Sequence, residues 1–300
     1  MKAVIPAAGM GLRFLPLTKE QPKEMIPVLD KPTIQYVVEE AIASGITDIV
    51  IITGRNKRAI EDHFDKSFEL EAALEEKGDQ ERLKEIRRIS NMVDMHFVRQ
   101  KDPHGLGDAI AKAEKHIGDE PFVVMLGDNI NISEVPVTKQ LMEVHERTGH
   151  SVIGVEPVRT EKICDYGIIK GTQITDREYR VVDLVEKPSP EEAPSNIGIT
   201  GRYILTPAIF DCLRATAPGK NGEVQLTDAL RLLREREEIL AYRFEGRRYD
   251  IGDMLGWLKT MFELSLTHPE YSRPLKEFLG ELLSTQVDEV NYSEIPDHII

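Results

Sequence analysis

Handling a polyphosphate calls for backbone N–H groups free to face an anion and for cations close by. Both stand within the first thirty residues. Behind a short apolar run, Ala7-Ala8-Gly9-Met10-Gly11-Leu12-Arg13 puts small residues at 7 to 9 and a glycine at 11, so the backbone can approach a phosphate or a base. Arg13, Lys19 and Lys23 add three cations, while Pro16, Pro22 and Pro27 keep the segment from becoming an ordinary helix. The loop is not a dinucleotide fingerprint, because the third glycine of GxGxxG would fall at Phe14, and no GxxxxGK[ST] run is present. A stiff, glycine-started, cation-bearing loop after a first strand suits a triphosphate. Covalent catalysis has no signature here: GxSxG and HExxH are absent, and the eight histidines are scattered and read as surface or core residues.

The elements that must position this loop alternate. Residues 3–6, 48–53, 95–99, 122–126 and 151–155 read as short, mostly buried strands, and 34–44, 57–64, 107–116 and 138–148 as helices. That order predicts an α/β fold with a mostly parallel sheet covered on both faces. Residues 66–88 read as a solvated helical arm rather than an acidic binding site. Past residue 160 the pattern turns hairpin-like (166–171, 180–187 and 198–205), predicting antiparallel strands that form a second lobe closing over the sheet. Residues 259–265 and 275–283 read as C-terminal helices before an acidic tail. A single unit is expected, in parts 1–160, 161–255 and 256–300, the last being C-terminal helices and tail.

The formal net charge of −14, from 38 basic and 52 acidic residues, argues against nucleic-acid polymers, yet a few focused lysines can still make a phosphate site. The apolar runs are too short to span a bilayer. Met1-Lys2 leads straight into a strand, and Cys164 and Cys212 have no metal-like spacing, so a cytoplasmic protein with reduced thiols is expected.

Residues 3–32, with their G-x-G-x-R loop, P-K-x-x-x-P-V and K-P, resemble the signature of the sugar-nucleotide pyrophosphorylases. More closely, the chain resembles the bacterial-type UTP–glucose-1-phosphate uridylyltransferases, collinearly from residue 2 to about 265. The shared motifs are D-H-F-D-x-S-F-E-L-E at 62–71, R-Q-K-x-P-x-G-L-G at 99–107, L-G-D at 126–128 and Y-G-I at 166–168. They continue with V-E-K-P at 185–188, G-E-x-Q-L-T-D-A at 222–229 and Y-D-x-G-D at 249–253.

The resemblance implies a Rossmann-like fold and the synthesis of UDP-glucose and pyrophosphate from UTP and glucose 1-phosphate. It implies Mg²⁺ held by Asp128 and Asp250, with Arg13, Lys23 and Lys187 as the catalytic cations. Ala7, Ala8, Gly9, Gly11, Glu24, Gln100, Pro103 and Gly105 are implied on the nucleotide side. Asn129, Tyr166, Gly167, Glu186, Asn196 and Ile199 are implied around the sugar. A homodimer or homotetramer is implied as well, with 1–160 mainly binding the nucleotide and 161–255 mainly the sugar phosphate.

Three residues depart from the uridylyl pattern. Asn129 stands where a second Asp is typical, as in thymidylyltransferases; Thr200 replaces an aliphatic residue, and Asp108 a histidine. Uracil and thymine differ by one methyl, worth only about 1–3 kcal/mol in an apolar pocket. Glucose-1-phosphate thymidylyltransferase, or a broader hexose-1-phosphate nucleotidyltransferase, therefore stands as the alternative. A non-catalytic nucleotide-sugar-binding regulator is disfavoured, because Lys23, Asp128, Lys187 and Asp250 are all retained.

Overall fold

A computed structural model describes residues 1–219 and 222–284. The chain opens with β1 (Lys2–Ala7), the small hairpin β2 (Pro27–Val28) and β3 (Lys31–Pro32), and α1 (Thr33–Ala43). There follow β4 (Asp48–Thr53), α2 (Arg58–Phe64), α3 (Phe68–Lys77), α4 (Gln80–Ser90) and β5 (Asp94–Arg99). After α5 (Leu106–Ala111) and α6 (Glu114–Ile117) come β6 (Phe122–Met125), β7 (Asn129–Ile132), α7 (Val137–Thr148) and β8 (Ser151–Pro157). The second half holds β9 (Gly167–Gln173), β10 (Glu178–Glu186), β11 (Ile197–Leu205), α8 (Ala208–Ala215) and α9 (Leu226–Arg234). It ends with β12 (Ile239–Arg243), β13 (Arg247–Asp250), α10 (Met254–Ser265) and α11 (Ser272–Ser284).

A nine-stranded sheet runs β5-β4-β1-β6-β11-β8-β12-β10-β9. Its first four strands are parallel. Beyond them β11 is antiparallel to both β6 and β8, β12 is parallel to β8, and β10 and β9 are antiparallel. Parallel pairing is thus concentrated in the first half. The hairpin-like strands β9 to β11 do not close over this sheet as a separate lobe; they complete it. β11 takes the edge that β6 leaves open, and β10 and β9 extend the sheet beyond β12, so those edges are covered.

Alternation along the strands sorts side chains into two cores. Val4, Val50, Ile52, Phe122 and Val124 face one layer with Ile110, Ile209, Leu213 and Leu230. Ala3, Ile5, Ile49, Ile51, Val123 and Met125 face the other, with Val37, Ile60 and Leu141. Strands buried on both faces explain the continuous apolar runs. The predicted arm is the helix pair α3 and α4, each burying a single residue, Leu74 and Leu83. A third, smaller core joins Phe14, Ile26 and Val28 of the opening segment to Ile130 and Ile251, with Trp257 and Met261 of α10 packed on it. Among the described residues no helix is long and apolar enough to cross a membrane. The expected acidic tail lies outside the described residues.

Candidate active site

In the parallel half, β1 has β4 on one side and β6 on the other, so chain order reverses at β1. A crevice forms beyond the carboxyl ends of strands at such a switch point. The loops after β1 and β6 both emerge there and border a cleft of about 650 Å³.

The first loop is folded tightly. Gly11 has φ +68°, and a Cβ on it would stand 3.1 Å from Thr18 Cγ2 and 3.2 Å from Lys23 Cβ, so glycine is needed for both conformation and space. The Thr18 hydroxyl donates to Gly11 O at 2.7 Å. With Phe14 and Ile26 anchored in the small core, Lys23 reaches across to Asp128, its Nζ 2.7 Å from Oδ2. Burial disfavours charge on both groups, but the carboxylates of Asp128 and Glu24 hold the Lys23 ammonium above its ordinary range. The same pairing holds Asp128 below the usual carboxylate range despite its burial.

The two acidic residues implied by sequence meet through a two-stranded ladder. In β7 and β13, Asn129 pairs with Asp250, and Ile251 N donates to Asp128 O at 2.9 Å. Arg248, two residues before Asp250 and therefore on the same strand face, sits at the centre. Its guanidinium donates to Asp250 Oδ2 at 3.0 Å, Asn129 Oδ1 at 2.8 Å, Glu156 Oε1 at 2.6 Å and the Tyr166 hydroxyl at 3.1 Å. The Tyr166 hydroxyl donates to Asp250 Oδ2 at 2.6 Å. Burial, reinforced by the Asp250 carboxylate, pushes the phenol up to about 12. Asn129 in turn donates to Asp128 Oδ1 at 2.9 Å. An aspartate at 129 would face the Asp128 carboxylate instead of donating to it.

Below the cleft, fully buried Arg202 pairs with Glu40 at 2.7 Å and donates to the carbonyls of Leu126 and Asn129 at 3.2 and 2.8 Å. Those carbonyls bracket Asp128, so the buried guanidinium fixes the loop that carries it.

Further lining of the cleft comes from the second half of the sheet. Glu186 Oε2 accepts from the Thr227 hydroxyl at 2.6 Å, and its Oε1 lies 3.5 Å from Lys187 Nζ. Lys187 is a non-glycine residue at φ 45° whose N–H donates to Tyr166 O at 3.1 Å. Holding it there costs about 1–3 kcal/mol. Gly167 leaves the room between Thr227, Ile199 and Glu186 that a methyl would fill, each lying 3.0 to 3.2 Å from where a Cβ would stand.

Gly11, Arg13, Lys23, Asp128, Asn129, Tyr166, Gly167, Glu186, Lys187, Ile199 and Asp250 thus border one cleft. Arg13 is exposed and, among the described residues, makes no ion pair. Other candidates lie outside the cleft lining. Ala7 ends β1, with Ala8 and Gly9 following it. Glu24 is buried against Lys57 at 2.8 Å, with Oε1 unpartnered. Gln100 Nε2 donates to Asp108 Oδ2 at 2.7 Å and to Gly105 O at 3.2 Å. Pro103 and Asn196 are exposed, and the Asn196 carbonyl accepts from Val158 N at 2.8 Å. Arg248, Arg202, Glu40 and Thr227 escaped the sequence reading. Strand alternation before Asp250 was a usable signal for Arg248, and nothing local marked Arg202.

The nucleotidyl transferase family model matches residues 2–264. The chain belongs to that family. It is 54% identical over 289 residues to the UTP–glucose-1-phosphate uridylyltransferase YngB of Bacillus subtilis, covering 96% of this chain and 97% of that protein. A second Bacillus subtilis UTP–glucose-1-phosphate uridylyltransferase is 51% identical, with 95% and 98% covered. Among solved structures, a UDP-glucose pyrophosphorylase complexed with UDP-glucose has TM-score 0.83 at 45% identity, covering 89% of this chain and 99% of that one. The UTP-bound enzyme of Acinetobacter baumannii has TM-score 0.87 at 37% identity, covering 94% and 99%. A thymidylyltransferase structure from Bacillus anthracis, described as putative, matches at TM-score 0.69 and 23% identity, which speaks to the fold alone.

Proposed function

We propose that this nucleotidyl transferase makes UDP-glucose and pyrophosphate from UTP and glucose 1-phosphate. The observation that carries the reading is the single cleft at the β1 switch point. Its lining includes the Lys23–Asp128 pair, Asp250, Glu186 and Lys187. The curated relatives at 51–54% identity bear the uridylyltransferase name, which favours UTP over dTTP.

In this reading the UTP triphosphate lies along the opening loop, against Gly11, Arg13 and Lys23. Glucose 1-phosphate lies against Glu186 and Lys187, its hydroxyls on Glu186 and its phosphate on Lys187. Held in line, a phosphate oxygen of the sugar attacks the α-phosphorus and the α–β P–O bond breaks, so pyrophosphate leaves with the electron pair. No covalent nucleophile is needed, because the attacking group is already an oxyanion. Arg13 and Lys23 stabilise the charge that grows on the leaving group.

The donor set fits Mg²⁺. Asp128 and Asp250 offer oxygen only, and among the described residues Asp250 Oδ1 accepts no hydrogen bond. When bound by these two carboxylates, the ion supplies charge neutralisation and orientation at the nucleotide phosphates. We extend the proposal to a homo-oligomer, resting on the exposed apolar residues Phe278, Leu282 and Leu283 of α11.

Pyrophosphate release with Mg²⁺ and glucose 1-phosphate, compared across UTP, dTTP, CTP, ATP and GTP, tests the assignment. UTP should give the highest kcat/KM. A clear dTTP preference would shift the assignment to the thymidylyl alternative.

A further inference from the structure

Histidines that read as scattered along the sequence converge in space. Asp48 opens β4, and His96 lies in β5, the edge strand beside it. The register pairs Asp48 with Asp94 and Val50 with His96, so alternation puts the Asp48 and His96 side chains on one face of the sheet. That face carries Val50 and Ile52, and α6 packs on it through Ile117, one residue after His116. His116 Nε2 donates to Asp48 Oδ1 at 2.8 Å, and His96 Nε2 lies 3.8 Å from the same oxygen. The two rings sit 4.5 Å apart, and one ligand atom from each of the three residues falls within a 4.8 Å set. The cluster stands at the amino ends of the parallel strands, whereas the cleft lies beyond their carboxyl ends.

We propose that Asp48, His96 and His116 form a transition-metal site that takes Zn²⁺ or a similar borderline divalent ion. Two imidazoles and one carboxylate are the donors such ions favour, while Mg²⁺ favours the all-oxygen set of the cleft. The three atoms are already gathered, so binding needs only that the His116–Asp48 hydrogen bond give way to two metal bonds. With the metal on Nε2, the neutral His116 ring carries its proton on Nδ1, a tautomer exchange through solvent with no net proton released. His96 is half exposed, which leaves a fourth position open to water. Lys2 donates to the His116 carbonyl at 2.8 Å and holds the end of α6 against the strands. An ion bound here clamps the edge strand β5 to β4 and α6.

The test uses the full, tag-free chain with millimolar Mg²⁺ present to occupy the cleft. Zn²⁺ is titrated by calorimetry, and Co²⁺ by the intense visible bands of four-coordinate cobalt. One Zn²⁺ per chain is expected, with a Tm increase that Mg²⁺ alone does not produce. Affinity should fall roughly 10- to 100-fold or more in His96→Ala, by analogy with losses at the ligand shell. Among the described residues the His96 side chain contributes the 3.8 Å approach to Asp48 and the ring contact with His116, so that variant should keep its fold and its UTP turnover. Asp250→Ala should retain Zn²⁺ uptake. Three results would each overturn the proposal: no uptake, uptake unchanged in His96→Ala, or uptake lost in Asp250→Ala.

Discussion

At the scale of single residues, the cleft separates groups that touch phosphate from groups that hold those groups in place. Lys23, Asp128 and Asp250 belong to the first kind in the proposed reaction. Lys23→Met should lower kcat by about 10²–10³, the size expected when one stabiliser of developing charge is removed. Asp128→Ala and Asp250→Ala should each abolish measurable turnover while circular dichroism stays native. Near-normal rates in either variant would remove that carboxylate from the metal site. Arg248 belongs to the second kind, since its four acceptors include Asp250 and Asn129. Lysine keeps the charge but not the planar fork, so it cannot serve four acceptors at once. Arg248→Lys should cost roughly 10- to 100-fold in turnover and raise the Mg²⁺ concentration needed for half-maximal rate. An unchanged Mg²⁺ dependence would reduce Arg248 to a structural residue.

At the scale of elements, legibility followed periodicity. The buried strands β1, β4 and β6 were readable because apolar runs such as Ile49-Val50-Ile51-Ile52 lie inside a doubly covered sheet. The chemistry-bearing motifs were readable because they end those strands. The place of β11 was not, since pairing with β6 and β8 depends on partners far away in sequence. Arg202 shows the same limit: an arginine in a strand suggests a solvent-facing position, and its burial is tolerable because Glu40 of α1, 2.7 Å away, and the Leu126 and Asn129 carbonyls receive its guanidinium. Burial by itself would raise the Glu40 pKa, but the Arg202 guanidinium and the Thr138 and Asn131 side chains hold it below its ordinary value. Glu40→Gln should therefore destabilise the protein by about 3–5 kcal/mol at neutral pH, leaving Arg202 buried without a counter-charge. A group with a depressed folded pKa stabilises above its unfolded value and loses that contribution as pH falls through the folded one. The stability gap between wild type and Glu40→Gln should thus narrow as pH drops below about 4. Urea unfolding across pH measures it, and a gap that widens on acidification would contradict the assignment.

At the scale of the whole molecule, the two cores and the cleft leave α11 unaccounted for. None of its residues is buried, and Phe278 and Leu283 are 56% and 82% exposed. Leu275, Phe278 and Leu282 recur at helical spacing, the pattern of a stripe meant to be covered. Within the described residues the small core beside the cleft is closed by α10, through Trp257 and Met261, and it makes no use of that stripe. A second copy of the chain is the occupant proposed above, and α10 and α11 would carry the contact. Replacing Phe278 and Leu282 by serine should then shift sedimentation from an oligomer to a monomer, because two apolar anchors are exchanged for hydroxyls at the centre of the buried patch. The arrangement around Lys23, Asp128 and Asp250 comes from β1, β6, β7 and β13 of one chain, so the monomer should keep UTP turnover when assayed at 25 °C. A wild type that sediments as a monomer would end the oligomer proposal. A variant that loses turnover without changing mass would instead tie α11 to the small core through α10.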